Sequence, residues 1–293
     1  MTSHIQQTRE FYFSCSDQTR LFVRDWAPAA HLPRSNLGVM LMHGLGEHCG
    51  RYAHVARFFT ALGYQVRSYD LRGHGQSEGK SGDCPHNLSM VEDAQFLLSD
   101  FARQLIRPPI LLGHSMGGLF AVRLALESPE LLSGLILSSP ALQLFMSPLQ
   151  HQLLALARRF APGLGVNNGL KTQYLSHDAE VVAAYRHDEL VHNKISARLL
   201  TAMLDAINYV QDYAQELAIP TLLLVAEADH LVDPQGSRIF VDHANSQLLH
   251  YRFYPEFYHE ILNELDAQLV FEDIRVWLDT PEIQAQSKIS VAA

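Results

Sequence analysis

The segment 110–118 constrains the fold of this chain more than any other stretch. It reads Ile-Leu-Leu-Gly-His-Ser-Met-Gly-Gly, so three apolar residues lead into a Gly-x-Ser-x-Gly pattern centred on Ser115. Glycine two positions on either side of a serine permits a sharp, strained turn from a strand into a helix. Leu119, Val122 and Leu126 then recur at helical spacing. The sequence therefore predicts a nucleophile elbow that holds the Ser115 hydroxyl at a helix N-terminus, where backbone N–H groups stabilise an oxyanion.

Strands and helices alternate on both sides of this elbow. Runs rich in aromatic and β-branched residues at 11–15 and 20–26 predict a hairpin at a sheet edge. Apolar patterns predict further strands at 37–42, 64–69, 135–137, 221–226 and 248–254, and helices at 52–62, 89–106, 234–243 and 266–278. Such alternation is typical of an α/β fold with a mostly parallel central sheet and helices on both faces.

The ends of these elements carry their own signals. Ser89 and Glu92 have the spacing of a capping box at the start of a helix. Residues 28–36 are expected to form a loop, and the tail from Pro281 is expected to be frayed.

The alternation lapses between residues 141 and 216, where the sequence predicts helix throughout. Breaks are expected at Pro162-Gly163 and 167–169, followed by helices at 179–186 and 196–216. Five apolar residues recur there every three or four positions, which places them on one helical face: Phe145, Leu149, Leu153, Leu156 and Phe160. Packing of this stripe against the core is the favoured interpretation, and a lipid-facing lid surface is the alternative. The chain then divides into a first core part (1–140), a helical cap insertion (141–216) and a second core part (217–293).

Composition excludes several classes of protein. A chain of 293 residues with 47% hydrophobic content can bury one large core. Twenty-two Lys and Arg against 31 Asp and Glu give a net charge of −9, which offers no basic patch for nucleic acid. The N-terminal residues lack a signal-peptide pattern and no apolar run is long enough to span a membrane, so a cytoplasmic location is expected. Cys15, Cys49 and Cys84 form no C-x-x-C pair and are expected to be free thiols.

A serine nucleophile needs a base, usually histidine, and an acid that orients that base. In a parallel sheet, catalytic groups collect in the loops beyond the carboxyl ends of the strands. Of the sixteen histidines, His259 follows the last strand, and Asp229 follows the strand before it. The order Ser115, Asp229, His259 is the chain order of α/β-hydrolases. Asp233 is the competing acid, but its place directly before Pro234 is typical of a helix N-cap.

The oxyanion hole needs two backbone N–H donors aimed at one point. Met116, the residue after the nucleophile, supplies one of them. The second is expected from the turn after His43-Gly44, where Leu45 is the first choice and Gly46 the alternative.

Several segments together resemble the monoacylglycerol lipase and lysophospholipase branch of the α/β-hydrolases. They are 43–52 (His-Gly-Leu-Gly-Glu-His-Cys-Gly-Arg-Tyr), 70–79, the elbow 113–118, 228–233 and 259–260, with a further likeness over 176–198. The Gly-Glu-His-x-Gly-Arg-Tyr run is the most specific of them. Cys49 stands where the family often has serine, and caps vary so much among relatives that chain-length preference does not carry over.

This resemblance implies the α/β-hydrolase fold and hydrolysis of a glycerol ester that carries one acyl chain, with the cap over an apolar tunnel. It also implies that Glu47 and Arg51 shape the polar end of the site near the glycerol, although an ion pair that orders the oxyanion loop is an equal alternative.

The sequence thus predicts a serine carboxylester hydrolase that cleaves monoacylglycerols or lysophospholipids through an acyl-enzyme, without metal or cofactor. The expected acyl channel is lined by apolar residues of the insertion: Phe145, Met146, Leu149 and Leu153. The expected partners are a small lipid ester and, transiently through the cap, lipid interfaces, but not nucleic acid. A short-chain or aromatic carboxylesterase, a peptidase of the same fold and a ligand-binding protein on a hydrolase scaffold are the alternatives.

Overall fold

The computed structural model describes residues 8–28 and 36–285. Most of the expected loop at 28–36 and the tail beyond Ala285 lie outside the described residues. Within them the strands are β1 (Thr8–Ser14), β2 (Arg20–Trp26), β3 (Gly38–Met42), β4 (Gln65–Tyr69), β5 (Ile110–His114), β6 (Gly134–Ser138), β7 (Gly165–Asn167), β8 (Lys194–Ser196), β9 (Thr221–Ala226) and β10 (Leu249–Tyr254). The helices are α1 (Ala53–Ala61), α2 (Ser89–Ala102), α3 (Met116–Glu127), α4 (Pro148–Phe160), α5 (Ala179–His187), α6 (Ala197–Tyr213), α7 (Gln235–His243), α8 (Ala267–Leu278) and α9 (Pro281–Ala285).

Eight strands form the main sheet, in the order β1-β2-β4-β3-β5-β6-β9-β10. The pairs from β4 through β10 are parallel, whereas β1 pairs antiparallel with β2, and β2 with β4. This is the mostly parallel sheet of an α/β-hydrolase, and the expected hairpin is confirmed at its edge. The carboxyl ends of β3, β5, β6, β9 and β10 therefore meet along one rim, where the candidate site lies.

Both faces of the sheet are buried. Along β3, Met40 and Met42 face a core cluster that includes residues of α2, α3 and α6, whereas Val39 and Leu41 face a second cluster with residues of α1 and α8. Successive side chains of a strand point to opposite faces, so apolar residues at every position indicate helices on both sides.

The insertion is not helical throughout, because it contains two short strands that the sequence did not predict. Helix α4 ends at Phe160, just before the break expected at Pro162-Gly163, and β7 then pairs antiparallel with β8. The last helix of the range 141–216, α6, buries Leu199, Ala206 and Val210 in the same core cluster as α3. That helix thus forms part of the layer that covers the sheet.

The apolar stripe of the insertion does not pack against the core, so the favoured interpretation was wrong. Its five members are 55 to 72% exposed, and the buried residue of α4 is Leu154. Phe145 precedes the helix, because Ser147 and Gln150 form a capping box and Pro148 begins the first turn. Spacing tells which residues share a helical face, but not which face the rest of the chain covers.

One smaller expectation was also wrong, and a second fails for the described residues 281–285. Ser89 is the first residue of α2 and not its N-cap; its hydroxyl accepts from the N–H of His86 at 3.0 Å and donates to the carbonyl of His86 at 2.9 Å. The chain from Pro281 is not frayed as far as it is described, because Ile283 is fully buried and its carbonyl accepts from Arg107 at 2.9 Å.

The three cysteines are free and buried. Burial raises the pKa of the Cys15 and Cys49 thiols above the ordinary range, and it raises the pKa of Cys84 to about 12. In the described part of the chain, no helix has the length and apolar character needed to cross a membrane.

Candidate active site

Ser115 lies at the turn from β5 into α3, with φ 54° and ψ −120°. A positive φ is rare for a residue with a side chain and costs about 1 to 3 kcal/mol. The N–H of Ser115 donates to the carbonyl of Ser138 at 3.0 Å, which fixes the turn against the end of β6. A Cβ on Gly117 would collide with the Met42 and His43 carbonyl oxygens, which explains why the pattern requires glycine there.

The structure brings Ser115, His259 and Asp229 together in one line of hydrogen bonds. Nε2 of His259 lies 2.8 Å from Oγ of Ser115, and Nδ1 lies 2.6 Å from Oδ2 of Asp229. The other oxygen of Asp229 accepts from the N–H groups of Leu231 at 2.8 Å and Val232 at 3.0 Å. Because a carboxylate only accepts, Nδ1 of His259 carries the proton and Nε2 is left to accept the hydroxyl proton of Ser115.

Asp233 lies in a different environment. Its Oδ1 accepts from the N–H of Gln235 at 3.0 Å, at the first turn of α7, and its Oδ2 accepts from Nε2 of Gln143 at 2.7 Å. The structure therefore places Asp233 at the start of a helix and Asp229 against His259.

Two histidines beside the serine have opposite pKa shifts. Burial by itself would lower the pKa of His259, but the charge of Asp229 and its hydrogen bond, with Glu260 and Glu47 further off, raise that pKa above its ordinary value. The ring of His114 lies 4.8 Å from that of His259, and burial together with this neighbour lowers the pKa of His114 to about 4. His259 alone of the two is suited to gain and lose a proton near neutral pH.

The loop after β3 faces Ser115 from the other side, and Leu45 and Met116 both line the cavity there. His43 fixes this loop, because its Nδ1 lies 2.8 Å from the carbonyl of Gly44 and its Nε2 accepts from the N–H of Leu71 at 2.9 Å. Gly46 has φ 81° and accepts from the N–H of His192 at 2.8 Å. Met116 begins α3, where backbone N–H groups have no partner inside the helix.

A buried ion-pair network joins this loop to the loop of His259. Oε1 of Glu47 accepts from the N–H of Gly44 at 2.6 Å and from the hydroxyl of Tyr52 at 2.7 Å. Arg51 pairs with Glu47 and binds both carboxylate oxygens of Glu260 at 2.7 Å. Burial by itself would raise the pKa of Glu47, but the charge of Arg51 holds it below its ordinary value. This arrangement supports the interpretation of Glu47 and Arg51 as a pair that orders the oxyanion loop.

A cavity of about 430 Å³ extends from Ser115 beneath the insertion. Its apolar walls come mainly from α4, α6 and the segments beside them; they include Leu144, Leu154, Ala157, Leu164, Leu200 and Met203. Of the residues expected to bind substrate, Glu47, Phe145, Met146 and Leu153 line this cavity. Arg51 lies behind Glu47 and outside the lining, and Leu149 points to the outer surface of α4, where it is 63% exposed.

Sequence reasoning assigned no role to Glu260, which completes the ion-pair network. The one available signal was its position directly after His259. In residues 8–28 and 36–285, no group of three or more His, Cys, Asp or Glu side chains is arranged to hold a metal ion.

Comparison with known proteins places the chain among hydrolases. A family described as serine aminopeptidase S33 matches residues 34–266. The monoacylglycerol lipase of Mycolicibacterium smegmatis is 36% identical over 279 residues, covering 94% of this chain and 98% of that protein. Phospholipase YtpA of Bacillus subtilis is 31% identical over 248 residues, covering 82% of this chain and 94% of that protein. The crystal structure of Paleococcus ferrophilus monoacylglycerol lipase matches with a TM-score of 0.79 at 32% identity, covering 88% of this chain and 98% of that chain.

Proposed function

The chain belongs to the serine aminopeptidase S33 family of α/β-hydrolases, and from this premise we propose that it is a monoacylglycerol lipase acting through Ser115, His259 and Asp229. The observation that carries the mechanism is the continuous line of hydrogen bonds from Ser115 through His259 to Asp229. The observation that carries the substrate class is the apolar cavity that begins at Ser115.

The proposed reaction proceeds by acyl transfer. Oγ of Ser115 attacks the ester carbonyl carbon while Nε2 of His259 accepts its proton, and Asp229 stabilises the imidazolium that forms. The N–H groups of Leu45 and Met116 bind the oxyanion, each contributing about 3 kcal/mol to transition-state stabilisation. His259 then donates the proton to the departing alcohol oxygen. Water, deprotonated by His259, releases the fatty acid from Ser115 in the second half of the reaction.

The acyl chain is proposed to occupy the apolar part of the cavity, against Phe145, Met146, Leu153 and Leu154. Each methylene group removed from water contributes about 0.8 kcal/mol, which is about fourfold in kcat/KM. The rate should therefore rise with chain length until the channel is filled. A preformed cavity of about 430 Å³ is in the usual range for a small-molecule site.

The glycerol group is proposed to lie at the polar end, where Glu47 and Glu260 line the cavity. Arg51 supplies a cation to both carboxylates from behind. Oε2 of Glu47 and Oε1 of Glu260 each accept one hydrogen bond, from Arg51, so each oxygen can accept a second from a free hydroxyl group of a glycerol that carries one acyl chain. Triacylglycerol would place two further acyl chains against these charges, which is unfavourable.

The exposed stripe of α4 is proposed to make transient contact with the lipid surface that holds the substrate. Leu149, Leu156 and Phe160 are 59 to 72% exposed and lie outside the cavity lining. With a net charge of −9, this contact should rest on apolar burial and not on attraction to anionic lipid. A cytoplasmic location is also proposed, and the three unpaired thiols fit a reducing compartment.

The proposed function is tested by the rate of fatty-acid release from monoacylglycerols of C4 to C18, beside p-nitrophenyl acetate, triolein, a lysophospholipid and an aminoacyl p-nitroanilide. The expected result is a preference for medium- or long-chain monoacylglycerol. An enzyme fastest on acetate and indifferent to monoacylglycerol would be a short-chain esterase, and one fastest on the anilide would be a peptidase. A single turnover without further product would identify a binding protein.

A further inference from the structure

A buried carboxylate outside the proton relay holds the loop of His259. Glu264 lies five residues after His259, and its side chain is 3% exposed. Its Oε1 accepts from the N–H of Tyr258 at 2.8 Å and lies 2.8 Å from Nδ1 of His177. Its Oε2 accepts from the N–H groups of His177 at 3.1 Å and Leu265 at 3.2 Å. Across the described residues, no Lys or Arg forms an ion pair with Glu264.

Three successive backbone N–H groups, those of Tyr258, His259 and Glu260, fix the position of the imidazole, one by bonding Glu264 in the same loop and two by bonding the insertion. Tyr258 donates to Glu264, His259 donates to the carbonyl of Tyr174 at 3.4 Å, and Glu260 donates to the carbonyl of Leu175 at 2.8 Å. Tyr174 and Leu175 belong to the insertion. The backbone on both sides of the imidazole is therefore tied to the insertion and to Glu264.

Side chains reinforce the same junction. The rings of His177 and Tyr258 are stacked, with centroids 3.7 Å apart and planes at 20°. The hydroxyl of Ser176 donates to the carbonyl of Asn263 at 2.9 Å and lies 3.4 Å from Oε2 of Glu264. Glu264 thus accepts hydrogen bonds from His177 of the insertion and from Tyr258 of the His259 loop. These two segments hold the backbone of His259.

We propose that Glu264 is a positioning residue for His259: through Tyr258 and His177 it holds the imidazole at hydrogen-bond distance from both Ser115 and Asp229. This inference rests on the proposed function. A buried carboxylate without a Lys or Arg partner is costly unless both of its oxygens accept hydrogen bonds, and here each oxygen has at least two donors around it. An error of about 1 Å in the position of a catalytic group can lower a rate by about 100-fold, so the junction bears directly on turnover.

The test substitutes Glu264→Gln and measures hydrolysis of p-nitrophenyl butyrate. Glutamine keeps the shape of the side chain but turns one acceptor oxygen into an NH2 group that faces N–H donors. Titration with a fluorophosphonate counts the intact sites, so loss of folded protein does not enter the rate per site. We expect kcat per site to fall about 10- to 100-fold, with KM within about twofold of wild type. The acid limb of the pH profile should move to lower pH, because a looser contact with Asp229 removes part of what raises the pKa of His259.

Two further variants make this test specific. Glu256→Gln makes the same chemical change at an exposed position before His259, and it should leave kcat and the pH profile unchanged. His177→Phe keeps a ring over Tyr258 but removes Nδ1, at a side chain that is 42% exposed. We expect this variant to lower kcat about threefold, because one hydrogen bond is lost, and to move the acid limb to lower pH.

The proposal is overturned if Glu264→Gln lowers only the thermal midpoint and leaves kcat per site and the acid limb at their wild-type values. Where that variant does not fold, unchanged kcat and an unchanged acid limb in His177→Phe overturn it instead. Failure of the lipase assignment is distinguishable from both results. A wild-type enzyme that ignores monoacylglycerol but hydrolyses p-nitrophenyl butyrate still permits every comparison.

Discussion

Nδ1 of His259 lies 2.6 Å from Oδ2 of Asp229, whereas the carboxylate of Asp233 binds Gln143 and the first turn of α7. The two aspartates should therefore respond differently to the same substitution. Asp229→Asn should lower kcat by about 10⁴-fold, because the new NH2 group faces Nδ1 and favours the wrong tautomer of His259. Asp233→Asn should change kcat little, since asparagine also caps helices. Steady-state kinetics on both variants checks this. A larger loss of kcat in the Asp233 variant would identify Asp233 as the acid of the triad.

Ser115→Ala should abolish both ester hydrolysis and labelling by a fluorophosphonate, because the proposed nucleophile is lost. Ser139→Ala is the matched control. Ser139 is a second serine with positive φ, 41°, but it is buried and accepts from the N–H of Ala226 at 3.2 Å. Its variant should still be labelled, and labelling of the Ser115 variant would show that another residue carries the acyl group.

Activity should fall on acidification, because only neutral His259 can accept the proton of Ser115. Asp229 raises the pKa of this histidine in the folded enzyme, so the midpoint of kcat/KM should lie above the ordinary histidine value of about 6.5. The pH profile of p-nitrophenyl butyrate hydrolysis measures this midpoint. A midpoint near 4 would instead match His114, because burial lowers the pKa of that histidine to about 4.

The triple substitution of Leu149, Leu156 and Phe160 by serine should separate the lipid surface from the acyl channel. These side chains are exposed and lie outside the cavity lining, so hydrolysis of soluble p-nitrophenyl butyrate should be unchanged. Hydrolysis of monoacylglycerol held in phosphatidylcholine vesicles should fall several-fold, since apolar burial drives such binding. Flotation of the protein with these vesicles gives an independent measurement. Equal loss on both substrates would indicate that Leu149, Leu156 and Phe160 contribute to the acyl channel instead.

Arg51→Met should destabilise the fold, because it leaves the buried carboxylates of Glu47 and Glu260 without a cation. Removing one partner of a buried ion pair costs about 3 to 5 kcal/mol. In the wild type, the pKa of Glu47 is lower in the folded state than in the unfolded state. The ion pair therefore stabilises the fold at pH values above the unfolded-state pKa of Glu47. This stabilisation is lost as the pH falls through the folded-state pKa. In the variant, protonation neutralises the unpaired carboxylates. The difference in the free energy of unfolding between wild type and variant should therefore become smaller toward pH 5. Urea unfolding at pH 5 and pH 8 measures both effects, and a deficit independent of pH would contradict this account.

The sequence predicted the elements that follow a regular period or a local rule. The elbow at Ser115 and the strands on either side of it follow from apolar runs and glycine spacing. The prediction of Asp229 and His259 rests on the rule that loops after parallel strands meet at one rim, and the topology does bring those loops together.

Contacts between distant segments could not be predicted in this way. Arg51 reaches Glu260 across 209 residues, and His177 reaches Glu264 across 87. No periodicity relates such positions, so neither network could be read from spacing. The prediction that the apolar face of α4 packs against the core was wrong for a related reason. Which face of an amphipathic helix is buried depends on what the rest of the chain covers.

The burial of all three thiols has a practical consequence. The thiolate is the reactive form of cysteine, and burial raises the pKa of Cys15, Cys49 and Cys84 while shielding them from reagents. Native molecules should therefore resist alkylating agents that modify every unfolded molecule three times. An alkylating agent followed by an electrophile aimed at Ser115 would then count unfolded and native molecules in a single sample, separated by mass.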